Sequence, residues 1–226
     1  MTVSGDRASL HNKPMRFRDR ADAGRQLASR LSDLRGEPDL VVLGIPRGGV
    51  VVAHALATAL GAPLDITLSH KLGAPFNEEL AIGAVAEGGT RVVDELLVAQ
   101  LRVPNDYIER MAQHWRQEVE RRAALYRGDR PAVEVSGMVV AVVDDGVATG
   151  STAIAALQAV RQRGARSLVL AAPVIAGESV DRLRRHADRL EYIAAPMDFM
   201  SVGGFYEDFA QVSDEEVRAM LAREQG

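Results

Sequence analysis

Five consecutive apolar residues, Val139-Val140-Ala141-Val142-Val143, run straight into two adjacent carboxylates, Asp144-Asp145, and then into Gly146-Val147-Ala148-Thr149-Gly150-Ser151-Thr152. A continuous β-branched run of this kind suits a strand buried on both faces, as in parallel sheets. The small and hydroxyl residues after it make a short turn, and Ser151-Thr152 opens a helix. Ligands of open α/β sheets sit just beyond the carboxyl ends of such strands, where the two acids stand. Backbone N–H groups at the start of the following helix favour a phosphate. Thr149, Ser151 and Thr152 add hydroxyl donors, and Gly150 lets the backbone approach a ligand closely. Two like charges beside a phosphate do not both serve it. They are better placed to accept hydrogen bonds from sugar hydroxyls such as those of a ribose, so the segment reads as a sugar-phosphate pocket.

The same alternation of strand and helix extends along the chain. Leu40-Val41-Val42-Leu43 reads as a buried strand, followed by the turn Gly44-Ile45-Pro46-Arg47-Gly48-Gly49 and a helix to about Leu60. Strands are expected over residues 64–68, 167–174 and 190–195, and helices over 19–34, 104–127, 151–164, 178–186 and 213–224. Residues 81–86 and 90–93 read as a hairpin closed near Gly88-Gly89. This order predicts an α/β fold, a central parallel sheet with helices on both faces. With 226 residues the chain can bury a sizeable core as one large domain. Residues 1–14 lack periodicity and read as a flexible leader, leaving 15–226 as a single domain.

Composition removes several function classes. There is no cysteine, hence no disulfide framework and no thiolate metal site. A net charge of −4 with interspersed signs argues against a nucleic-acid partner, which calls for a basic face. No stretch approaches the ~18 apolar residues of a membrane span. Residues 1–18 carry no apolar secretion segment, so a cytoplasmic location is expected. The Gly44–Gly49 turn follows a strand and opens a helix, which makes it a second anion-binding candidate. It lacks G-x-G-x-x-G spacing, so it is no dinucleotide fingerprint; Arg47 could add a bidentate cation for phosphate oxygens.

The stretch from Val139 to Thr152, with its hydrophobic strand, two acids and Thr-Gly-x-Thr turn, resembles the binding motif for phosphoribosyl pyrophosphate (PRPP) in type I phosphoribosyltransferases. The whole of Met15–Phe209 is similar to bacterial phosphoribosyltransferase-like proteins that share Met15-Arg16-Phe17-Arg18-Asp19-Arg20, Gly48-Gly49-Val50 and Asp144-Asp145-Gly146-Val147-Ala148-Thr149-Gly150. The resemblance implies a Rossmann-like sheet with a small hood, formed by the N-terminal segment and about 196–209. It implies that Ala148, Thr149, Gly150, Ser151 and Thr152 hold the 5′-phosphate. Arg47, Gly48 and Lys71 would meet the pyrophosphate, with Lys71 at the start of a loop that covers the site; His70 could join it. Asp144 and Asp145 would hold the ribose hydroxyls and the water shell of a Mg²⁺ ion. Glu78 and Glu79 could be loop carboxylates or helix-start acids.

The implied reaction is transfer of the phosphoribosyl group from PRPP to a nitrogenous, nucleobase-like acceptor, with release of pyrophosphate. Two alternatives stay open: a non-catalytic sensor of PRPP or nucleotides, and a hydrolase of phosphoribosyl compounds. The acceptor is expected near the hood, where Phe199, Phe205 or Tyr206 could stack on a base and Asp208 could face the pyrophosphate. Ala148 stands where hypoxanthine/guanine-type members carry an acid, and Ser151 where they commonly carry Lys. Family resemblance and the helical stripe containing Trp115 imply a homodimer.

Overall fold

The computed structural model describes residues 16–223; the leader expected over 1–14 lies outside them. Helix α1 (Arg20–Arg30) begins at Asp19, whose carboxylate accepts from the Asp22 amide at 2.6 Å. It is followed by β1 (Leu40–Gly44), α2 (Gly48–Leu60) and β2 (Leu64–Ile66). Next come β3 (Ser69–Ala74), β4 (Asn77–Ala86), β5 (Arg91–Val93), α3 (Glu95–Leu101) and the long α4 (Asn105–Arg127). The remainder is β6 (Val139–Val143), α5 (Ser151–Gln162), β7 (Ser167–Val174), α6 (Val180–Arg184), β8 (Arg189–Ala194) and α7 (Asp214–Arg223).

Five strands form one sheet in the order β2-β1-β6-β7-β8, and every pairing in it is parallel. Side-chain alternation splits the core into two layers. Leu40, Val42, Ala141, Val143 and Val169 pack with Leu27 of α1, with Leu31 just after that helix, and with Leu56 and Leu60 of α2. Val41, Leu43, Val140, Val142 and Leu170 pack on the other face with Ala156, Leu157 and Val160 of α5. Leu43, Leu56 and Leu157 are fully buried, and truncating any of them to Ala costs about 2–5 kcal/mol. Among the described residues, no helix is long and apolar enough to cross a membrane.

A second, antiparallel sheet has the order β3-β4-β5. Its Leu72, Ile82 and Val85 pack against Val98, Ile108 and Ala112 of α3 and α4. Here the structure differs from the sequence expectation. Lys71 does not start a loop: it lies inside β3, paired with Ala84 of β4. Antiparallel pairing satisfies the backbone that a loop would leave to water, and the turn shrinks to Pro75-Phe76. Helix α3 is a further addition, capped by the Asp94 carboxylate, which accepts from the Leu97 amide at 2.9 Å. Trp115, whose stripe pointed to a dimer face, stacks within the chain on His70 with ring centroids 3.3 Å apart.

A buried ion cluster joins the two sheets. The Arg127 guanidinium donates to both Asp65 oxygens, at 2.8 and 2.9 Å, to the Ile66 carbonyl at 2.7 Å and to Glu87. Asp65 lies in β2 and Glu87 follows β4, so α4 pins the antiparallel sheet to the parallel one.

Candidate active site

From β1 the chain moves outward to β2, whereas β6 lies on the other side of β1. The turns leaving β1 and β6 therefore diverge and open a crevice at the carboxyl edge, the place where open α/β sheets bind ligands. The Ile45 amide donates to the Val143 carbonyl at 2.8 Å, which keeps the two turns together at their base. The Pro46–Arg47 peptide is cis. Glycine is required where the turns touch. A Cβ on Gly48 would stand 1.9 Å from Asp145 Oδ2 and 2.8 Å from Arg20 Nε, and one on Gly49 only 2.7 Å from the Val143 carbonyl oxygen.

The two acids have unequal surroundings. Asp145 Oδ2 accepts from Arg20 Nε at 2.7 Å, and its carbonyl accepts from the Tyr206 hydroxyl at 2.5 Å. Asp144 Oδ1 accepts from the Asp145 amide at 2.9 Å. Desolvation, reinforced by the neighbouring Asp145 charge, pushes the Asp144 carboxyl well above the usual carboxylate range. A cation or a set of hydroxyl donors at this carboxylate would relieve that penalty.

Beyond the acids the chain forms a cradle. Val147 pairs with Ile175 beside the end of β7, and the Ser179 hydroxyl donates to the Ala148 carbonyl at 2.6 Å. Gly150 sits at the N-cap of α5 with φ +76°, a left-handed conformation, and offers no side-chain cap. Ala148 and Thr149 are exposed, and the Thr149 and Ser151 hydroxyl oxygens lie 3.4 Å apart. Thr152 is exposed in the first turn of α5. The 12-residue helix thus presents its N-terminus, with hydroxyls around it, to the crevice edge.

Other expected site residues are placed as follows. Arg47 opens α2, and its side chain reaches toward Asp214 of α7 at 3.9 Å. It borders a cleft of about 460 Å³ that Arg121, Arg122 and Tyr126 also line. Lys71 is half-buried on β3. Its neighbour His70 lies flat on Trp115, and burial, with the positive Lys71 beside it, holds its pKa down to about 4. His70 is thus a neutral packing residue. Glu78 is exposed on β4; the Glu79 side chain lies outside the described residues.

Segment 196–209 runs over the acid turn: a Cβ on Gly146 would meet Val202 Cγ1 at 2.4 Å. It is tied to the N-terminal segment by the Phe17 amide donating to the Phe205 carbonyl, and the Glu207 amide to the Phe17 carbonyl, each at 2.8 Å. Phe199 and Phe205 stack on each other, 5.6 Å apart and 20° from parallel. Tyr206 is buried beside Phe17, with its ring 5.4 Å away. Its ring is enclosed and its hydroxyl is engaged by Asp145, so it is a support rather than an open stacking face. The Asp208 carboxylate accepts from the Ala210 amide at 3.0 Å, closing a turn.

A family model described as "Phosphoribosyl transferase domain" matches residues 16–209. The chain belongs to the phosphoribosyltransferase family. Two curated relatives from Mycobacterium tuberculosis, "Putative phosphoribosyl transferase MT0597" (strain CDC 1551) and "Putative phosphoribosyl transferase Rv0571c" (strain H37Rv), are each 44% identical over 207 residues. That alignment takes in 92% of this chain and 46% of each relative, so the chain spans about half the length of the curated relatives it matches. The crystal structure of TT1426 from Thermus thermophilus is 46% identical, with a TM-score of 0.87 over 94% of this chain and 100% of that one.

Two features of this site escaped sequence reasoning. Arg20, the first residue of α1, is 9% exposed and pairs with an acid 125 positions away. Tyr206 reads as an aromatic of the hood, and nothing local announces its bond to Asp145. A charged residue at a helix start ordinarily points to solvent, so the only available signal for Arg20 was its place in the Phe17-Arg18-Asp19-Arg20 string.

Proposed function

We propose that this phosphoribosyltransferase uses PRPP as donor and transfers its phosphoribosyl group to a nitrogenous, nucleobase-like acceptor. The observation that carries the reading is the acid pair at the end of β6, set between the glycine turn of β1 and the open N-terminus of α5. A ribose 5-phosphate needs hydroxyl acceptors beside a phosphate cradle, and a pyrophosphate at C1 needs a second anion turn. Ala148–Thr152 take the 5′-phosphate, Asp144 and Asp145 the ribose hydroxyls, and Arg47, Gly48 and Lys71 the pyrophosphate.

In the step itself the acceptor nitrogen forms a bond to C1 as the C1–O bond to pyrophosphate breaks. The bond's electron pair leaves with pyrophosphate, and the acceptor's N–H proton passes to solvent. Positive charge grows on the sugar and negative charge on the leaving group, so fixed charges and amides at both ends lower the barrier.

The donor set fits a ligand-borne Mg²⁺ rather than a caged one. Among the described residues, no group of three or more His, Asp or Glu is placed to hold a metal ion. Asp144 and Asp145 would contact the water shell, and the ion would supply charge neutralisation at the pyrophosphate oxygens.

Millimolar PRPP with Mg²⁺ is expected to raise the melting temperature. Saturation at about 100 times Kd adds about 2.7 kcal/mol, which is roughly 5–10 °C for a domain of this size. Asp144→Asn with Asp145→Asn should abolish the rise; no rise in the parent protein overturns the donor assignment. Pyrophosphate release measured across a panel of bases then reads the activity. Release only with a base supports transfer, release without one indicates hydrolysis, and binding with no release indicates a sensor.

A further inference from the structure

We propose that Arg20 is the positioning residue of the acid pair: it fixes the Asp145 carboxylate and makes that placement depend on the segment 205–210 above it. The inference rests on the PRPP reading and adds a residue that reading does not contain.

Arg20 is engaged on three sides. Its Nε donates to Asp145 Oδ2 at 2.7 Å, its Nη1 donates to the Ala210 carbonyl at 2.8 Å, and its guanidinium carbon lies 3.7 Å from the Phe209 ring centroid. The side chains of the pair are only 10% and 15% exposed. A planar guanidinium with fixed donor directions holds a carboxylate in one orientation, unlike a rotatable ammonium. Holding the Ala210 carbonyl and lying on Phe209 would be enough to anchor the segment. A buried guanidinium needs a counter-charge, and the carboxylate that supplies it here is Asp145 at the crevice, so the pair that neutralises Arg20 also fixes a ligand-facing group.

Two further observations give the contact its direction. The Tyr206 hydroxyl holds the Asp145 carbonyl at 2.5 Å, so the same segment fixes the main chain of Asp145 while Arg20 fixes its side chain. The space a Cβ on Gly48 would fill is occupied by Asp145 Oδ2, with Arg20 Nε just behind. The ion pair therefore lies directly against the pyrophosphate turn. With Oδ2 held by Arg20, Oδ1 is the oxygen presented to a ribose hydroxyl. Segment 205–210 and the donor site become one unit, and loosening either releases the other.

The test is PRPP affinity with Mg²⁺, by calorimetry, in the full chain. Removing a hydrogen bond to a charged group costs about 10–100-fold, so Arg20→Gln should weaken binding by that factor, and Arg20→Lys should recover part of it. If Arg20 acts through Asp145, Arg20→Gln changes affinity less than about threefold in an Asp145→Asn background. A residue that merely supports the fold would instead give independent, multiplying losses. Should Arg20→Gln not fold, Phe209→Ala keeps the guanidinium but removes its seat; about threefold to fivefold weaker binding is expected, again absent with Asp145→Asn. Multiplying losses, or Arg20→Gln binding as tightly as the parent protein, overturns the inference and leaves the PRPP reading standing. A parent protein that binds no PRPP overturns both.

Discussion

Replacing Gly48 by alanine tests the contact on which the site is built. The new Cβ would lie 1.9 Å from Asp145 Oδ2 and 2.6 Å from its carboxyl carbon, whereas Cβ contacts are essentially never under 3.0 Å. More than an ångström must be found. The backbone of Gly48 begins α2, whose Val50, Val52 and Leu56 are fully buried, so the helix is poorly able to retreat. The carboxylate must turn instead, and turning breaks its 2.7 Å bond to Arg20. Overpacking of this kind costs about 1–3 kcal/mol, or about 3–10 °C in melting temperature at this size. A misplacement of ~1 Å in a positioning group costs up to about 100-fold in function. Gly48→Ala should therefore lower PRPP affinity about 10–100-fold while the chain stays folded, since a loss of about 1–3 kcal/mol is less than a typical domain's stability. Gly61, at the other end of α2, is the control: its φ is +70° and a Cβ there meets nothing within 4 Å. Gly61→Ala should cost about 1–2 kcal/mol of left-handed strain and leave PRPP affinity unchanged. Calorimetry and a thermal melt of both variants decide the matter. A Gly48→Ala protein within threefold of the parent in affinity refutes the reasoning.

Two other outcomes follow from groups away from the crevice. Arg127→Met should destabilise the chain by about 3–5 kcal/mol in urea, because it leaves Asp65 and Glu87 as buried carboxylates without their cation; a loss under about 1 kcal/mol would show that water compensates them. His70 titrates at about 4 in the fold, held down by burial and then by Lys71 and Arg122, with His114 adding to and Glu118 opposing the shift. The unfolded chain binds this proton below about pH 6.5. The contribution of neutral His70 is thus complete above about pH 6.5 and lost as pH falls toward about 4. Melts across that range should show the decline, and His70→Gln should flatten it; an unchanged slope in the variant removes His70 as the cause.

The parallel sheet was legible because β1, β6 and β7 are buried on both faces, and a strand in that position is nearly all Val, Leu, Ile and Ala. The acid pair and the Ala148–Thr152 turn were legible because a strand, its turn and the next helix are local, and ligand chemistry at a strand end needs no distant residue. The helix expected over 213–224 is α7, and Ser213 and Glu216 cap its start by bonding reciprocally at 2.7 and 3.1 Å. Helix α3 was not legible: at seven residues it spans too few turns for a period to show. The resemblance puts Lys71 at the start of a loop, and the pairing that makes β3 a strand comes from β4.

The layered sheet and the position of the two carboxylates at a strand end follow from residues adjacent in the chain. That the two carboxylates differ comes from long-range packing. Asp145 is held by Arg20 and Tyr206, brought from opposite ends of the chain, while Asp144 is left with the desolvation and its neighbour's charge. Burial and pairing across such separations follow from packing, and no local pattern encodes them.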